Sequence, residues 1–168
     1  ITVVDAATDD HLGDVTINIA AAWSGTALTI DASSLDQNAL STNNEILTLA
    51  QVTTDTAVIT VTSGAGADII TTGAAGDIIT TNAGIDTISS NGGADIISAG
   101  GGNDIIDAGA GRDSIDAGAG NDTITISTDT DFEVSGGTET VDGGAGVDTL
   151  NLTAATEHDL SAAELGSV

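Results

Sequence analysis

The chain has 168 residues, enough for one domain or one domain with an extension. Its 26 acidic residues stand against a single basic one, Arg112, for a formal net charge of -25. That balance excludes nucleic acid and anionic membrane surfaces as partners, because both are bound through clusters of Lys and Arg. Absence of cysteine excludes a disulfide framework, a thiolate zinc site and a cysteine nucleophile. No apolar run reaches the roughly 18 residues of a membrane span, so membrane insertion is not expected. The chain is 40% hydrophobic with a mean hydropathy of +0.22, yet aromatics make up 1% of it. A core must therefore be built from small aliphatic side chains, and the excess negative charge must be offset before the chain can compact.

The opening residues do not read as a signal peptide: Asp5, Asp9 and Asp10 follow close on Ile1. The chain reads as a processed product or a piece of a longer one. Residues 1–62 carry strand patterning. Val15-Thr16-Ile17-Asn18-Ile19 alternates cleanly, as do Leu28-Thr29-Ile30 and Leu47-Thr48-Leu49, and Ala57 to Val61 leads into the next segment. This region is expected to be a β-rich solenoid extension without metal motifs, with Trp23 either packing at a solenoid end or anchoring an interface.

Residues 63–126 repeat. Aspartates stand at Asp68, Asp77, Asp86, Asp95, Asp104, Asp113 and Asp122, nine residues apart, and each is followed two residues later by isoleucine, from Ile70 to Ile124. Four residues before each Asp stands Gly64, Gly73, Asn82, Asn91, Gly100, Gly109 or Gly118. These are the residue types that best tolerate positive φ. Two before each Asp stands Gly66, Ala75, Gly84, Gly93, Gly102, Gly111 or Gly120. A Gly-rich loop followed by a short strand, repeated in register, predicts a flat solenoid in which two units make one coil. One Ile per unit points inward, because side chains alternate along a strand, and coils stack at about 4.8 Å. Stacking unit n on unit n+2 places Asp68, Asp86, Asp104 and Asp122 along one edge and Asp77, Asp95 and Asp113 along the other.

Neighbouring carboxylates in such a row repel by about 3 kcal/mol at an effective dielectric of 20. One buried Ile per unit, at about 1.5–3 kcal/mol, does not offset this together with the ordering of the loop. A cation must sit between the rows' carboxylates. Carboxylate and carbonyl oxygens without His or Cys select Ca²⁺ over zinc or copper.

These units resemble the RTX nonapeptide, whose pattern G-G-x-G-x-D-x-U-x is a known calcium-binding repeat. The nearest matches are Gly100-Gly101-Gly102-Asn103-Asp104-Ile105-Ile106, Gly109-Ala110-Gly111-Arg112-Asp113 and Gly118-Ala119-Gly120-Asn121-Asp122-Thr123-Ile124. The resemblance implies an all-β fold, a parallel β-roll or β-helix solenoid, with calcium held in Gly-Asp loops between adjacent coils. It implies Asp carboxylates as ligands, together with loop carbonyls of residues such as Gly64, Gly66, Gly84, Gly93, Gly100, Gly102, Gly109, Gly111, Gly118 and Gly120. Pairs 68/86, 86/104, 104/122, 77/95 and 95/113 make roughly five sites, with more at the ends. Ala75 in place of a loop glycine and Ile85 in a slot more often polar weaken the sites beside them.

After Ile126 the register breaks. Asp131 lies nine residues past Asp122 and is expected to complete one more site. Gly136-Gly137-Thr138-Glu139-Thr140-Val141 reads as a degenerate unit. Gly143-Gly144-Ala145-Gly146-Val147-Asp148 is a good one, with Asp148 as a further ligand. Residues 127–168 are thus expected to hold degenerate repeats and a C-terminal cap, with a short helical turn opened by Ser161 and Glu164.

The expected function is that of a calcium-dependent structural protein, not an enzyme. His11 and His158 lie in opposite flanks, and no nucleophile or separate acid-base pair accompanies them. Outward Ile69, Ile78, Ile96 and Ile105 predict an apolar stripe that either suits a partner or is covered by the flanking chain. Thr-rich phrases such as Thr149-Leu150-Asn151-Leu152-Thr153 look like segments of bacterial surface-layer proteins. The expected partners are copies of the same chain, as a homo-oligomer or polymer, and other cell-surface components. The expected location is extracellular or at the surface of a Gram-negative bacterium. The alternative is a calcium-folded module of a larger secreted adhesin, toxin or protease.

Overall fold

Each Gly-Asp unit contributes one short strand that begins beside its Asp and carries the inward Ile. The computed structural model describes residues 15–19, 27–32, 47–51, 56–126 and 139–153. Its strands are β1 (Val15–Ile19), β2 (Ala27–Asp31), β3 (Leu47–Gln51), β4 (Val58–Thr62), β5 (Ile69–Thr71), β6 (Ile78–Thr80), β7 (Thr87–Ser89), β8 (Ile96–Gly101), β9 (Ile105–Gly109), β10 (Ser114–Ala119), β11 (Thr123–Ile126), β12 (Thr140–Asp142) and β13 (Thr149–Leu152). Trp23, His11, His158, Asp131, Ser161 and Glu164 lie outside the described residues. None of the described residues forms a helix long and apolar enough to cross a membrane.

Successive strands alternate between two sheets, and every pairing is parallel. Among the described residues, one sheet runs β1-β3-β5-β7-β9-β11-β13 and the other β12-β10-β8-β6-β4-β2. This is the topology that a turn after every unit enforces, and it is a parallel β-roll. Ile70 aligns with Ile88, Ile88 with Ile106 and Ile106 with Ile124 in the first sheet. In the second, Val61, Ile79, Ile97, Ile115 and Val141 align. These two ladders face each other and make up most of a single buried core.

The interior is narrow. Five residues before each Asp the side chain is buried and small. The slot holds Ser63, Thr72, Thr81 and Ser90 in the earlier coils, then Ala99, Ala108 and Ala117. The four hydroxyls solve their own burial. Ser63 Oγ donates to Thr81 O (3.1 Å), Thr72 Oγ1 to Ser90 O (3.3 Å), Thr81 Oγ1 to Ala99 O (3.0 Å) and Ser90 Oγ to Ala108 O (2.8 Å). Each bond crosses from one coil to the next, so the earlier coils carry a buried hydroxyl ladder that the later ones lack.

The expected apolar stripe divides. Ile69 and Ile105 stand on the β5-β7-β9 face with Thr87 between them, while Ile78 and Ile96 are neighbours on the other sheet. All four are exposed, but units alternate between sheets, so the same position in consecutive units faces opposite ways.

Truncation separates the two kinds of isoleucine. Ile106→Ala, in the buried ladder, is expected to cost about 2–5 kcal/mol. Ile105→Ala, half-exposed beside it, should stay within about 0.5 kcal/mol. Denaturant unfolding in excess calcium measures both.

Candidate metal centre

The aspartates sit where a loop enters a strand, and there each is drawn inside. Asp68, Asp77, Asp86, Asp95, Asp104, Asp113 and Asp122 are all at most 1% exposed. Seven buried carboxylates in a chain of this charge require compensation, and part of it comes from the backbone. Asp86 Oδ1 accepts the Asp68 amide N–H (2.8 Å), Asp104 Oδ1 that of Asp86 (2.8 Å) and Asp122 Oδ1 that of Asp104 (2.8 Å). On the other edge Asp95 Oδ1 accepts from Asp77 (2.7 Å) and Asp113 Oδ1 from Asp95 (2.9 Å). The partners are 18 residues apart, one full coil. Asp77 Oδ1 takes the N–H of Ile59 (2.7 Å). In that preceding coil a buried isoleucine fills the place of the Asp, and the row of carboxylates stops.

The rows continue past residue 126 with a longer step. Asp148 Oδ1 accepts the Asp122 amide N–H (2.9 Å), and Glu139 Oε2 accepts that of Asp113 (2.7 Å), both across 26 residues. Glu139 is fully buried. The place above Asp113 therefore belongs to Glu139, where a strict nine-residue count points to Asp131. The longer step shifts both rows together, and Val141 keeps the isoleucine position over Ile115. The sequence signal for Glu139 is Gly136-Gly137 ahead of it and Val141 two residues after it. A second rung also escapes the Asp count: Asn103 Oδ1 accepts from Asn121 N–H (2.8 Å), and Asn121 Oδ1 from Val147 N–H (2.8 Å).

In four of the rungs the other carboxylate oxygen has no hydrogen bond from the protein. The Oδ2 atoms of Asp86, Asp95, Asp104 and Asp122 are buried without a hydrogen bond. Burial pushes the Asp86 carboxyl up to about 7, helped by the charges of Asp68 and Asp104; the Asp68 amide and the Thr81 hydroxyl pull the other way. Burial does the same to Asp95, again to about 7, against the pull of the Asp77 amide and with a further push from Asp113. Burial also raises Asp104 and Asp122.

The loops supply the other donors. Six of them carry two residues at positive φ. These pairs are Asn82 and Gly84, Asn91 and Gly93, Gly100 and Gly102, Gly109 and Gly111, Gly118 and Gly120, and Gly144 and Gly146. The loops that hold Gly64 and Gly66, and Gly73 and Ala75, carry none. Gly102 shows why the side chain must be absent. Its φ is +143°, and a Cβ there would collide with the carbonyl oxygen of Gly84 in the coil before. Such close approach stacks carbonyl-bearing loops edge to edge beside the Asp rows.

This arrangement fits a hard divalent cation. The buried Oδ2 atoms of Asp86, Asp95, Asp104 and Asp122 lack a hydrogen bond, carbonyl-bearing loops stack on the same edges, and among the described residues there is no His or Cys. Among the described residues no three His, Cys, Asp or Glu side chains converge. The carboxylates come in stacked pairs, and loop carbonyls must complete a shell of six to eight oxygens. The residues that could hold such an ion are the Asp rows, with Glu139 and Asp148 at their ends, and the loop glycines that bend beside them.

Comparison with known proteins points the same way. The family model of the RTX calcium-binding nonapeptide repeat matches in four copies, over residues 60–88, 89–124 and 134–152, which together make half of the chain. No curated protein and no solved structure matches it.

Raised carboxyl pKa values fix the sign of a pH effect in excess chelator. These groups lie near 3.8 when unperturbed and, for Asp86 and Asp95, near 7 in the fold. Their contribution is therefore fully present below the lower value and lost as pH rises through the upper one. The metal-free chain should gain β signal in far-UV circular dichroism between about pH 8 and about pH 4. Asp86→Asn combined with Asp95→Asn should flatten that slope, and an unchanged slope would show that these two carboxyls do not cause it.

The loops offer a second test. Gly102→Ala places a Cβ against a backbone oxygen in a conformation that alanine resists, and should sharply weaken calcium-dependent folding. At Gly101 the nearest heavy atom to an added Cβ is 3.9 Å away, an ordinary contact. Gly101→Ala should therefore fold like the parent. A calcium titration followed by circular dichroism compares the two.

Proposed function

Because the chain belongs to the RTX calcium-binding nonapeptide repeat family, its repeats are a calcium-binding module, and we propose that the chain folds on calcium after secretion and serves as a subunit of a self-assembling surface layer or fibre. The observation that carries the folding part is the set of buried Oδ2 atoms of Asp86, Asp95, Asp104 and Asp122, which the protein alone leaves without hydrogen bonds. A bound Ca²⁺ supplies the positive charge that these rows lack. In a low-calcium cytosol the acidic chain stays open. Outside, where calcium is millimolar, the stacked form is stabilised by mass action, because only that form assembles the carboxylate pairs. Proteins with such repeats are typically secreted by Gram-negative bacteria, and the same location is proposed for this chain.

Self-association is supported by the parallel stack itself. Among the described residues, β1 and β2 end their sheets on one side and β12 and β13 on the other, and an end strand is a template for another chain.

The split of the exposed isoleucines over two faces favours a second reading, a calcium-folded module of a larger adhesin, toxin or protease, since no single apolar stripe is left for a lattice contact. One experiment separates them. Circular dichroism and light scattering are recorded together in excess chelator and in millimolar calcium at neutral pH. A much stronger β spectrum with calcium than in chelator is expected, with growth to large ordered particles. A compact monomer in calcium would retain the folding switch and replace assembly by the module reading. Equal folding in chelator would refute the switch.

A further inference from the structure

The buried carboxylate pairs are not equivalent, and the loops beside them say which ones hold metal. On one edge the loops 82–85, 100–103, 118–121 and 144–147 all carry the paired positive-φ bend; on the other, 91–94 and 109–112 do. The first loop on each edge, 64–67 and 73–76, does not. There the space next to the first loop is taken by a side chain. Asn82 Nδ2 donates to Ser63 O (2.6 Å), and Asn91 Nδ2 donates to Thr72 O (2.6 Å). The corresponding positions in later coils are Gly100, Gly109, Gly118 and Gly144. Those glycines press so close on the loop before them that a Cβ would collide with its backbone. The same first coils hold the buried hydroxyls of Ser63, Thr72, Thr81 and Ser90. In the first coils these side-chain bonds join coil to coil beside the loops, whereas the later loops meet directly through backbone bonds such as Gly102 N–H to Ala119 O (2.8 Å) and Ala110 N–H to Asn91 O (2.6 Å).

Building on the calcium reading above, we infer that the spaces between two bent loops take calcium, at the pairs 86/104, 104/122, 122/148 and 95/113, and that the pairs 68/86 and 77/95 do not. Each assigned pair contains a carboxylate, from Asp86, Asp104, Asp122 or Asp95, whose Oδ2 is buried without a hydrogen bond; Asp86 and Asp95 also belong to the excluded pairs, so the loop geometry makes the distinction. The pair 122/148 has a structural consequence. Its halves are 26 residues apart, so that site ties β13 onto the stack across the long step after β11. The first coils are then a metal-independent lead, and the calcium-dependent part of the chain begins near residue 82.

Native mass spectrometry of the whole chain in calcium counts the ions retained. Relative to the parent, Asp148→Asn should lose one ion and Asp122→Asn two, while Asp68→Asn and Asp77→Asn should lose none. An ion lost from Asp68→Asn or Asp77→Asn, or none lost from Asp148→Asn, overturns the assignment. Retention of no calcium by the parent overturns the calcium reading itself, which is a different result. Hydrogen exchange on the unaltered parent needs no variant to fold. Added calcium should slow exchange in 100–103, 118–121 and 144–147 far more than in 64–67 and 73–76. Equal slowing in all five segments also overturns the assignment.

Discussion

Everything in this fold depends on holding carboxylates one coil apart inside a protein. Two rows of buried acids run up the stack, and each rung passes one oxygen to the amide of the coil before. That hydrogen bond sets the register and uses half of the carboxylate. The other half stays buried next to like charges, at a cost that one Ile per unit cannot offset. A chain built this way is marginal until positive charge arrives, and the raised pKa values of Asp86, Asp95, Asp104 and Asp122 express that cost as a preference for protons. Protons and a divalent cation relieve the same repulsion, and at neutral pH protons do so only in part.

The same constraint accounts for the composition. Parallel coils that stack at strand spacing leave no room for large side chains at the edges, so the interior is isoleucine in the middle and Ala, Ser or Thr at the corners. Glycine and asparagine provide the bends. They are not interchangeable here: glycine permits the backbone contact seen at Gly100 and Gly118, whereas asparagine at 82 and 91 spends its amide on the preceding coil.

Much of this is legible in the residues, because the repeat is exact in the two positions that matter most. The Asp step and the Ile two residues later dictate the strands, the two-unit coil and the n to n+2 pairing. What escapes has specific causes. Glu139 escapes because the step across residues 127–138 breaks the count, so a nine-residue extrapolation lands on Asp131, and because Glu differs from the repeated Asp. The division of Ile69, Ile78, Ile96 and Ile105 escapes when units are compared in line, since consecutive units face opposite sides. The absence of positive φ in the first two loops is hardest to foresee. Gly64 and Gly66 have the residue types that permit it, and only the surroundings decide whether they adopt it.

Those surroundings change along the chain in one direction. At the start, Ile59 stands where later coils have Asp, and hydroxyls and side-chain amides join coil to coil. From Gly100 onward the corners are alanine and the loops glycine, the buried hydroxyl ladder ends, and the carboxylate rows persist beside the Asn103 and Asn121 rungs. A polar ladder that satisfies itself contributes cohesion without a ligand, because every buried donor has its acceptor. A carboxylate ladder contributes cohesion only when its charge is met. Placing the first kind ahead of the second gives a parallel stack a preformed surface on which the charged coils can order, so the entropic cost of starting the solenoid does not fall on the coils that are least able to meet it.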